Sequence, residues 1–484
     1  MKFKVTPLNH QLEVIEKTRR HNHYALFWEV GTGKTYGVIN IVRSKYYEAL
    51  RLKRTIVLAP ISTLYGWKNE WVKFSTIPEN KIDVITSSGK KRISQLESAL
   101  FDTETKQVKD KIIIINYEAL VNTEVLDLIM KWSPEVMICD ESHLLKSGKA
   151  RRTKACIKIS DEVRSNTGNV FLLTGTPILN SPIDIFWQFV ILDGGITFTR
   201  NFIAFRQKYF IDKNGAFAGK KGYWPKWEIQ EKKMPELTEL IYDKASRVTK
   251  DICLDLPPLV KELRHSELGP QQKKLYKEME KEFITFLKVQ DEITPIVAEF
   301  AMTKALRLLQ ICSGFVKDAD GREFVLEKVP KLEILKELLE DITPDHKVII
   351  WCSFIQNYKM IAKLCSKLKI KPVMLTGQQS TKEKQEAIDS FQMDQDVRVM
   401  IANRKAGGTG ITLTAASYSI IYSRDVSLAN EIQSEARNYR KGSEVHEKIT
   451  KIDLITPDTV EEKVLHALTT KQKISDVIID AYKE

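Results

Sequence analysis

The sequence predicts an α/β protein of two tandem domains, each organised on a parallel sheet buried on both faces. Three observations carry this. Short β-branched apolar runs recur in two series, they are continuous rather than alternately polar, and helix-length amphipathic stretches separate them. The length of 484 residues suits roughly two to four domains. A hydrophobic content of 43% with 29% charge provides apolar material for more than one core.

In chain order, "YALFW" (24–28) is the first run. It leads into "EVGTGKTYG", where Gly31 and Gly33 permit a tight turn, and then into the helix-compatible "KTYGVINIVRSKYY". Strand, loop and helix in this order let backbone N–H groups and a helix N-terminus bind phosphate. Gly31, Thr32 and Gly33 then form the loop, Lys34 reaches the β- and γ-phosphates, and the Thr35 hydroxyl holds Mg²⁺. The common pattern also asks for a glycine five residues before Gly33, and Trp28 stands there. Strands follow at "TIVLAP" (55–60), "KIIIIN" (111–116) and "EVMICD" (135–140). The last ends in Asp140 and Glu141, at the strand end where open α/β sheets bind ligands. Adjacent carboxylates there are costly without a cation or a water network. Asp140 suits a Mg²⁺ contact through water, and Glu141 suits polarisation of an attacking water. "NVFLLTG" (169–175) runs on into "LLTGTPILNSP", whose Thr174 and Thr176 hydroxyls are placed to meet those carboxylates.

Residues 178–330 are richer in helix formers and charge, as in "GPQQKKLYKEMEKEFITFLKVQDEI" (269–293). The second series comprises "KVIIWCS" (347–353), "KPVMLTG" (371–377), "VRVMIAN" (397–403), "YSIIYS" (418–423) and "ITKIDLIT" (449–456). "LDLPPLV" (254–260) is the linker candidate, because Pro257-Pro258 interrupts any regular element. The resulting division is 1–255, with an insertion at roughly 185–250, and 256–484, with a helical insertion at roughly 265–330. Read as one helix, "NEIQSEARNYRKG" (430–442) puts Gln433, Arg437 and Arg440 on a single face. Arginines held at a cleft edge complete phosphoryl-transfer sites.

The net charge is +12, which suits a polyanionic partner. Residues 200–250 hold 12 Lys/Arg against 6 Asp/Glu, interleaved with Tyr209, Phe210, Phe217, Tyr223, Trp224 and Trp227. "SHLLKSGKARRTKACIK", after Glu141, has no acidic residue. Both segments suit phosphate-backbone contact. The 6 cysteines are scattered, without CxxC spacing, and suit small buried hydrophobes rather than zinc or disulfides. No apolar run approaches the ~18–20 residues of a membrane span, and "MKFKVTPLNHQ" lacks a signal-peptide core. A cytosolic or nuclear protein, not a secreted one, is expected.

The ordered motifs "FWEVGTGKT", "VLAP", "INYEAL", "DESH", "LTGTPILNS", "IANRKAGGTGITLTAAS" and "QSEARNYRKG" together resemble the superfamily-two helicase series. In detail they resemble the Swi/Snf-type double-stranded DNA translocases. The likeness runs from Gln11 in "LNHQ" to Arg440. It implies two RecA-like domains with ATP and Mg²⁺ in the cleft between them and duplex DNA gripped through its backbone, and so compact a motor suggests either a targeting protein as partner or action on a DNA structure. In this superfamily the first P-loop glycine is often absent, which accounts for Trp28. The resemblance places Gln11 at adenine and Lys34 and Thr35 at phosphate and Mg²⁺. It makes Asp140 and Glu141 the hydrolytic pair, Gly410 the glycine that brings the second domain to the nucleotide, and Arg437 and Arg440 the finger arginines. "LAP" (58–60), "NYE" (116–118) and "SF" (353–354) match segments that touch DNA. Departures are Thr412 for the usual Asn, Ser417 for Asp, and "YRKG" (439–442) in the last motif. The implied activity is DNA-dependent ATP hydrolysis driving translocation. A strand-separating or branch-migrating helicase and a non-translocating ATP-gated clamp are the alternatives.

Overall fold

The structure, a computed structural model, describes residues 2–470 apart from 179–180, 216–217, 219–224, 226, 254, 290–294, 319 and 405–410. Gly410, Phe217, Tyr223 and Trp224 therefore lie outside the described residues. The chain falls into two compact units, the first Met1–Ala216 and Pro225–Leu254, the second continuing from Asp255. No helix among the described residues is long and apolar enough to cross a membrane.

The first unit contains β1 (His23–Trp28), β2 (Thr55–Ala59), β3 (Ile82–Ile85), β4 (Ile112–Asn116), β5 (Val136–Asp140), β6 (Asn169–Leu173), β7 (Phe210–Asp212), β8 (Trp227–Ile229) and β9 (Ala245–Val248). Seven of these form one RecA-like sheet in the order β3-β4-β2-β5-β6-β1-β9, parallel throughout. β7 and β8 make a separate antiparallel hairpin. Successive residues serve opposite faces. Ala25, Phe27, Ile113 and Ile115 enter one core, whereas Tyr24, Leu26, Trp28, Ile112 and Ile114 enter the other. Burial on both faces is why these runs read as unbroken hydrophobe. The register pairs Ala59 with Asn116, Leu58 with Cys139 and Asp140 with Leu173. Pro60, Tyr117, Glu141 and Thr174 therefore leave the sheet along one edge.

The second unit contains β10 (Leu259–His265), β11 (Phe315–Lys317), β12 (Glu323–Val325), β13 (Val348–Cys352), β14 (Pro372–Leu375), β15 (Val399–Asn403), β16 (Tyr418–Ile421) and β17 (Ile449–Ile455). Its main sheet, in the order β10-β17-β16-β13-β15-β14, is also parallel. The helices Pro270–Val289 and Pro295–Cys312 pack Tyr276, Phe283, Leu308 and Leu309 against Val460, Val464 and Leu468. Each begins with proline, whose missing N–H is no loss at a first helical position.

Every apolar run read as a strand forms one. The strands that escaped the reading are β3, β9 and β10, together with two short hairpins. β3, β9 and β10 are all sheet edges, and "IDVI", "ASRV" and "LVKELRH" carry the polar residues that an edge tolerates. β10 also takes Leu259 and Val260 from the linker candidate, leaving Pro257 and Pro258 just ahead of it. The aromatic insertion is corrected too. Tyr209 and Phe210 are buried with Phe186, Phe189, Phe198 and Phe205 in a core of the first unit, so they are not free to meet DNA.

One buried ion pair ties the second unit together. Lys331 Nζ donates to Glu461 Oε1 and Oε2 at 2.5 and 2.6 Å, and Oε2 also accepts the Thr456 N–H at 2.8 Å. Both side chains are almost wholly buried. Removing one partner strands the other charge, whereas removing both does not. Lys331→Met is therefore expected to destabilise the chain by about 3–5 kcal/mol in urea unfolding. The double variant Lys331→Met/Glu461→Leu should recover most of that loss.

Candidate nucleotide site and its supporting residues

β1 ends at Trp28, which is fully buried and donates its indole N–H to Ser246 Oγ on β9 at 2.8 Å. The loop beyond it turns through Gly31 and Gly33, at φ of 96° and 83°, values that favour glycine. A Cβ on Gly33 would also fall 2.3 Å from Gln11 Nε2. Gln11 accepts the Leu8 N–H at 2.9 Å and donates to the Gly33 carbonyl at 3.4 Å. His10 Nε2 lies 2.9 Å from the Thr32 carbonyl, and the Thr32 hydroxyl donates to Glu29 O at 2.8 Å. The helix Lys34–Ala49 then begins with no acidic residue in its first turn and no side-chain cap. An N-terminus of this kind suits an anion. Thr35 sits half-buried in that first turn. Lys34 Nζ donates to the carbonyls of Trp28 and Glu29 at 2.9 and 3.1 Å.

Asp140 closes β5. Its Oδ2 accepts the Trp67 indole N–H at 2.9 Å, its Oδ1 the Glu141 N–H at 3.0 Å, and its carbonyl the Tyr117 hydroxyl at 2.6 Å. Burial first, and then the neighbouring Glu141, push the Asp140 carboxyl up to about 6, against the Trp67 hydrogen bond and the Lys34 charge. Glu141 is buried and left-handed, at φ 50° and ψ 49°. His143 Nδ1 lies 3.3 Å from Glu141 Oε2 and 3.0 Å from Thr174 Oγ1. The reading that Thr174 meets the carboxylates directly is thus modified, because His143 stands between Thr174 and Glu141. Thr174 Oγ1 also accepts the Thr176 N–H at 3.1 Å. Among the described residues no cluster of three or more His, Cys, Asp or Glu could cage a metal. One carboxylate and one hydroxyl are nonetheless the donors that suit Mg²⁺ when substrate phosphates complete its shell.

The arginine segment departs from its expected form. The helix Leu428–Glu435 ends before either arginine, so Arg437 and Arg440 do not share a helical face with Gln433. The segment instead folds against the loop at 411–416. Leu413 N–H donates to Arg437 O at 2.9 Å, and Asn438 Nδ2 donates to Ala416 O at 3.3 Å. The two guanidinium groups still converge, since Arg437 Nη1 and Arg440 Nη1 reach the Ile411 carbonyl at 3.4 and 3.3 Å. Behind them, Glu431 accepts from Arg404 at 2.6 Å, Arg424 at 3.0 Å and Lys451 at 2.7 Å. Arg424 also pairs with Asp453, and Lys451 with Glu435 at 3.2 Å. Burial alone would raise Glu431, but Arg404, Arg424 and Lys451 hold its carboxyl well below the usual range.

The first unit thus gathers Gln11, Gly31, Thr32, Gly33, Lys34, Thr35, Asp140 and Glu141 at one sheet edge, and Arg437 and Arg440 belong to the second unit. Trp67 and the Glu431 network escaped the sequence reading, and Tyr117 and His143 entered it only within "INYEAL" and "DESH", without these bonds. Their partners lie far off in the chain, so only spacing-independent hints were present. One of these was an aromatic with a polar handle shortly after a strand end.

Two family models match the chain. The model of the SNF2-related domain matches residues 11–314, and that of the helicase conserved C-terminal domain matches 330–442. The human DNA repair and recombination protein RAD54B is 24% identical over 94% of this chain and 52% of its own length. An uncharacterized ATP-dependent helicase of Mycoplasma genitalium is 27% identical over 92% of this chain and 39% of its own. The chain therefore spans about half the length, or less, of these curated relatives. The Sulfolobus solfataricus SWI2/SNF2 ATPase core, solved in complex with dsDNA, is 22% identical over 99% of this chain and 94% of its own, with a TM-score of 0.43. Because the SNF2-related model alone spans more than half of the 484 residues, the chain belongs to the SNF2-related, Swi/Snf-type family of helicase-like ATPases.

Proposed function

We propose that the protein is an ATP-driven translocase on duplex DNA. The observation that carries this reading is the meeting, at one sheet edge, of an uncapped helix N-terminus behind two left-handed glycines with the buried pair Asp140–Glu141. Lys34 donates to the carbonyls of Trp28 and Glu29, and a phosphate would draw it onto the β- and γ-oxygens. Gln11, already bonded to Gly33, takes the adenine side. Thr35 and Asp140 would hold Mg²⁺, which when bound neutralises charge on the transferred phosphoryl group. Glu141 polarises the attacking water, with His143 fixing its carboxylate. Arg437 and Arg440 supply positive charge for the transition state, and Gly410 takes the family's glycine position.

Duplex DNA as the track is supported by the net charge of +12, by the basic segment after Glu141, and by the name of the human relative, a DNA repair and recombination protein. Contacts of this kind hold phosphates and read no sequence. Translocation is favoured over strand separation by one local feature. Trp227, a wedge candidate, carries the Arg206 guanidinium 4.1 Å over its ring and packs against the core of its own unit.

Lys34→Ala and Glu141→Gln are each expected to lower steady-state ATP turnover at least about 100-fold, with Glu141→Gln retaining nucleotide binding. Rates close to the parent's would remove these residues from the site. Turnover should rise most with duplex DNA, less with single strands and least with RNA. Stimulation by RNA alone would overturn the DNA reading. Displacement of a triplex-forming strand without unwinding of a plain duplex is the expected output, and unwinding without displacement would favour the helicase alternative.

A further inference from the structure

Asp140 and Glu141 are held by two side chains from elsewhere in the first unit. The peptide joining them is fixed at both ends. Its carbonyl accepts the Tyr117 hydroxyl at 2.6 Å, and its N–H donates to Asp140 Oδ1 at 3.0 Å. The orientation of that peptide sets the φ of Glu141, a left-handed 50° that a non-glycine residue adopts only when its surroundings impose it. The remaining carboxylate oxygen of Asp140 takes the Trp67 indole N–H at 2.9 Å.

The two donors have the same kind of address. Trp67 lies on the helix Leu64–Phe74, which follows the end of β2 after a single 3₁₀ turn. Tyr117 opens the 3₁₀ turn that follows the end of β4. Each segment has a buried aromatic that reaches Asp140 and a neighbour at the surface. Ile61 and Tyr65 are exposed beside Trp67. Glu118 is exposed beside Tyr117, where it accepts from Asn116 Nδ2 at 2.9 Å. A load on either surface segment is therefore one residue or one helical turn from a bond to the acidic pair.

We propose that Trp67 and Tyr117 are positioning residues that relay polymer binding at the loops after β2 and β4 to the Asp140–Glu141 pair. Trp67 sets the rotamer of the Asp140 carboxylate, and Tyr117 sets the peptide that aims Glu141. This rests on the ATPase reading given above. Without the polymer the two bonds hold the pair in its present geometry. Movement of either segment turns the pair relative to the phosphate loop, so that turnover follows occupancy of the track.

The test compares Trp67→Phe and Tyr117→Phe with Trp71→Phe. Trp71 is one turn further along the same helix and fully buried, and its indole N–H has no hydrogen-bond partner. It therefore controls for lost packing without a lost bond. Two quantities are read. One is the ratio of turnover with and without duplex DNA. The other is the nitrogen-15 indole resonance of Trp67, identified by its absence in Trp67→Phe, during titration with duplex DNA and with Mg²⁺ plus a non-hydrolysable ATP analogue. Loss of an outer-shell partner typically costs about 10-fold or more. The duplex stimulation ratio is accordingly expected to fall roughly 10-fold in Trp67→Phe and Tyr117→Phe, with kcat moving more than KM. Trp71→Phe should keep the parent ratio, and the Trp67 resonance should shift in both titrations. Parent-like ratios in both donor variants, or a ratio equally depressed in Trp71→Phe, would overturn the relay while leaving the ATPase reading intact. If duplex DNA fails to stimulate the parent, the DNA reading falls instead. The analogue titration then decides for the positioning role, and an unmoved Trp67 resonance would overturn it.

Discussion

Parallel strand pairing is the constraint on which the rest depends. Two parallel neighbours cannot be joined by a tight turn, so each connection crosses back over a face of the sheet, usually as a helix. Both faces are then covered, and all strands end on the same side. In the first unit this brings Trp28, Ala59, Asn116, Asp140 and Leu173 to one edge, although more than 140 residues separate the first from the last. At and just beyond these positions lie the glycine loop, Trp67, Tyr117, the acidic pair and Thr174, the groups of the candidate site. The apolar interior needs only rigidity from the strands, which Val, Ile and Leu provide.

The two units handle buried charge in opposite ways. In the second, Glu431 is met by three cations, and burial is more than offset by them. Those cations come from the fold itself, Arg404, Arg424 and Lys451. In the first, burial and then the charge of Glu141 outweigh the Trp67 hydrogen bond and the Lys34 charge, and the Asp140 carboxyl is driven up rather than down. A carboxyl raised by burial and a like charge marks a candidate functional position. The contrast is between a carboxylate lowered by cations built into the fold and a carboxyl raised by burial beside a like charge.

Legibility in the sequence follows from the same physics. A strand buried on both faces leaves a continuous apolar run, so β1, β2, β4, β5, β6, β13, β15, β16 and β17 were readable, and with them the positions of Lys34, Asp140 and Glu141; β14, an edge strand, was readable because "PVML" is apolar throughout. An edge strand has one open flank, and β3, β9 and β10 mix Asp, Ser, Arg, Lys and Glu into short segments that resemble loops. Helical periodicity misled at Arg437 and Arg440. The pattern of spacing is present, but backbone bonds to the neighbouring loop at 411–416 end the helix at Glu435. Even so, the two side chains converge on the Ile411 carbonyl, so their pairing was legible although its geometric reason was not. Trp67 and Tyr117 are the opposite case. Trp67 was not singled out and Tyr117 only as part of "NYE", because what distinguishes them is a bond to a residue on another strand.

Trp28 shows how a departure from a motif can be absorbed by the fold. The missing glycine would matter if its position lay within the phosphate loop. Here the position is the last residue of β1, buried and paired with Val248 of β9. Gly37 on the following helix leaves room for the indole, since a Cβ there would come within 3.2 Å of the ring. The His10 ring meets it edge-on at 4.8 Å, and Ser246 takes its N–H. The next residue, Glu29, accepts the Lys250 N–H on its carboxylate at 3.0 Å, shortly before the chain leaves the first unit at Leu254. The floor of the phosphate loop is therefore pinned to β9 and to the exit of the chain by two consecutive residues. A glycine at position 28 would satisfy the common pattern and remove one of those two pins, so in this protein the tryptophan is the residue that the surrounding structure requires.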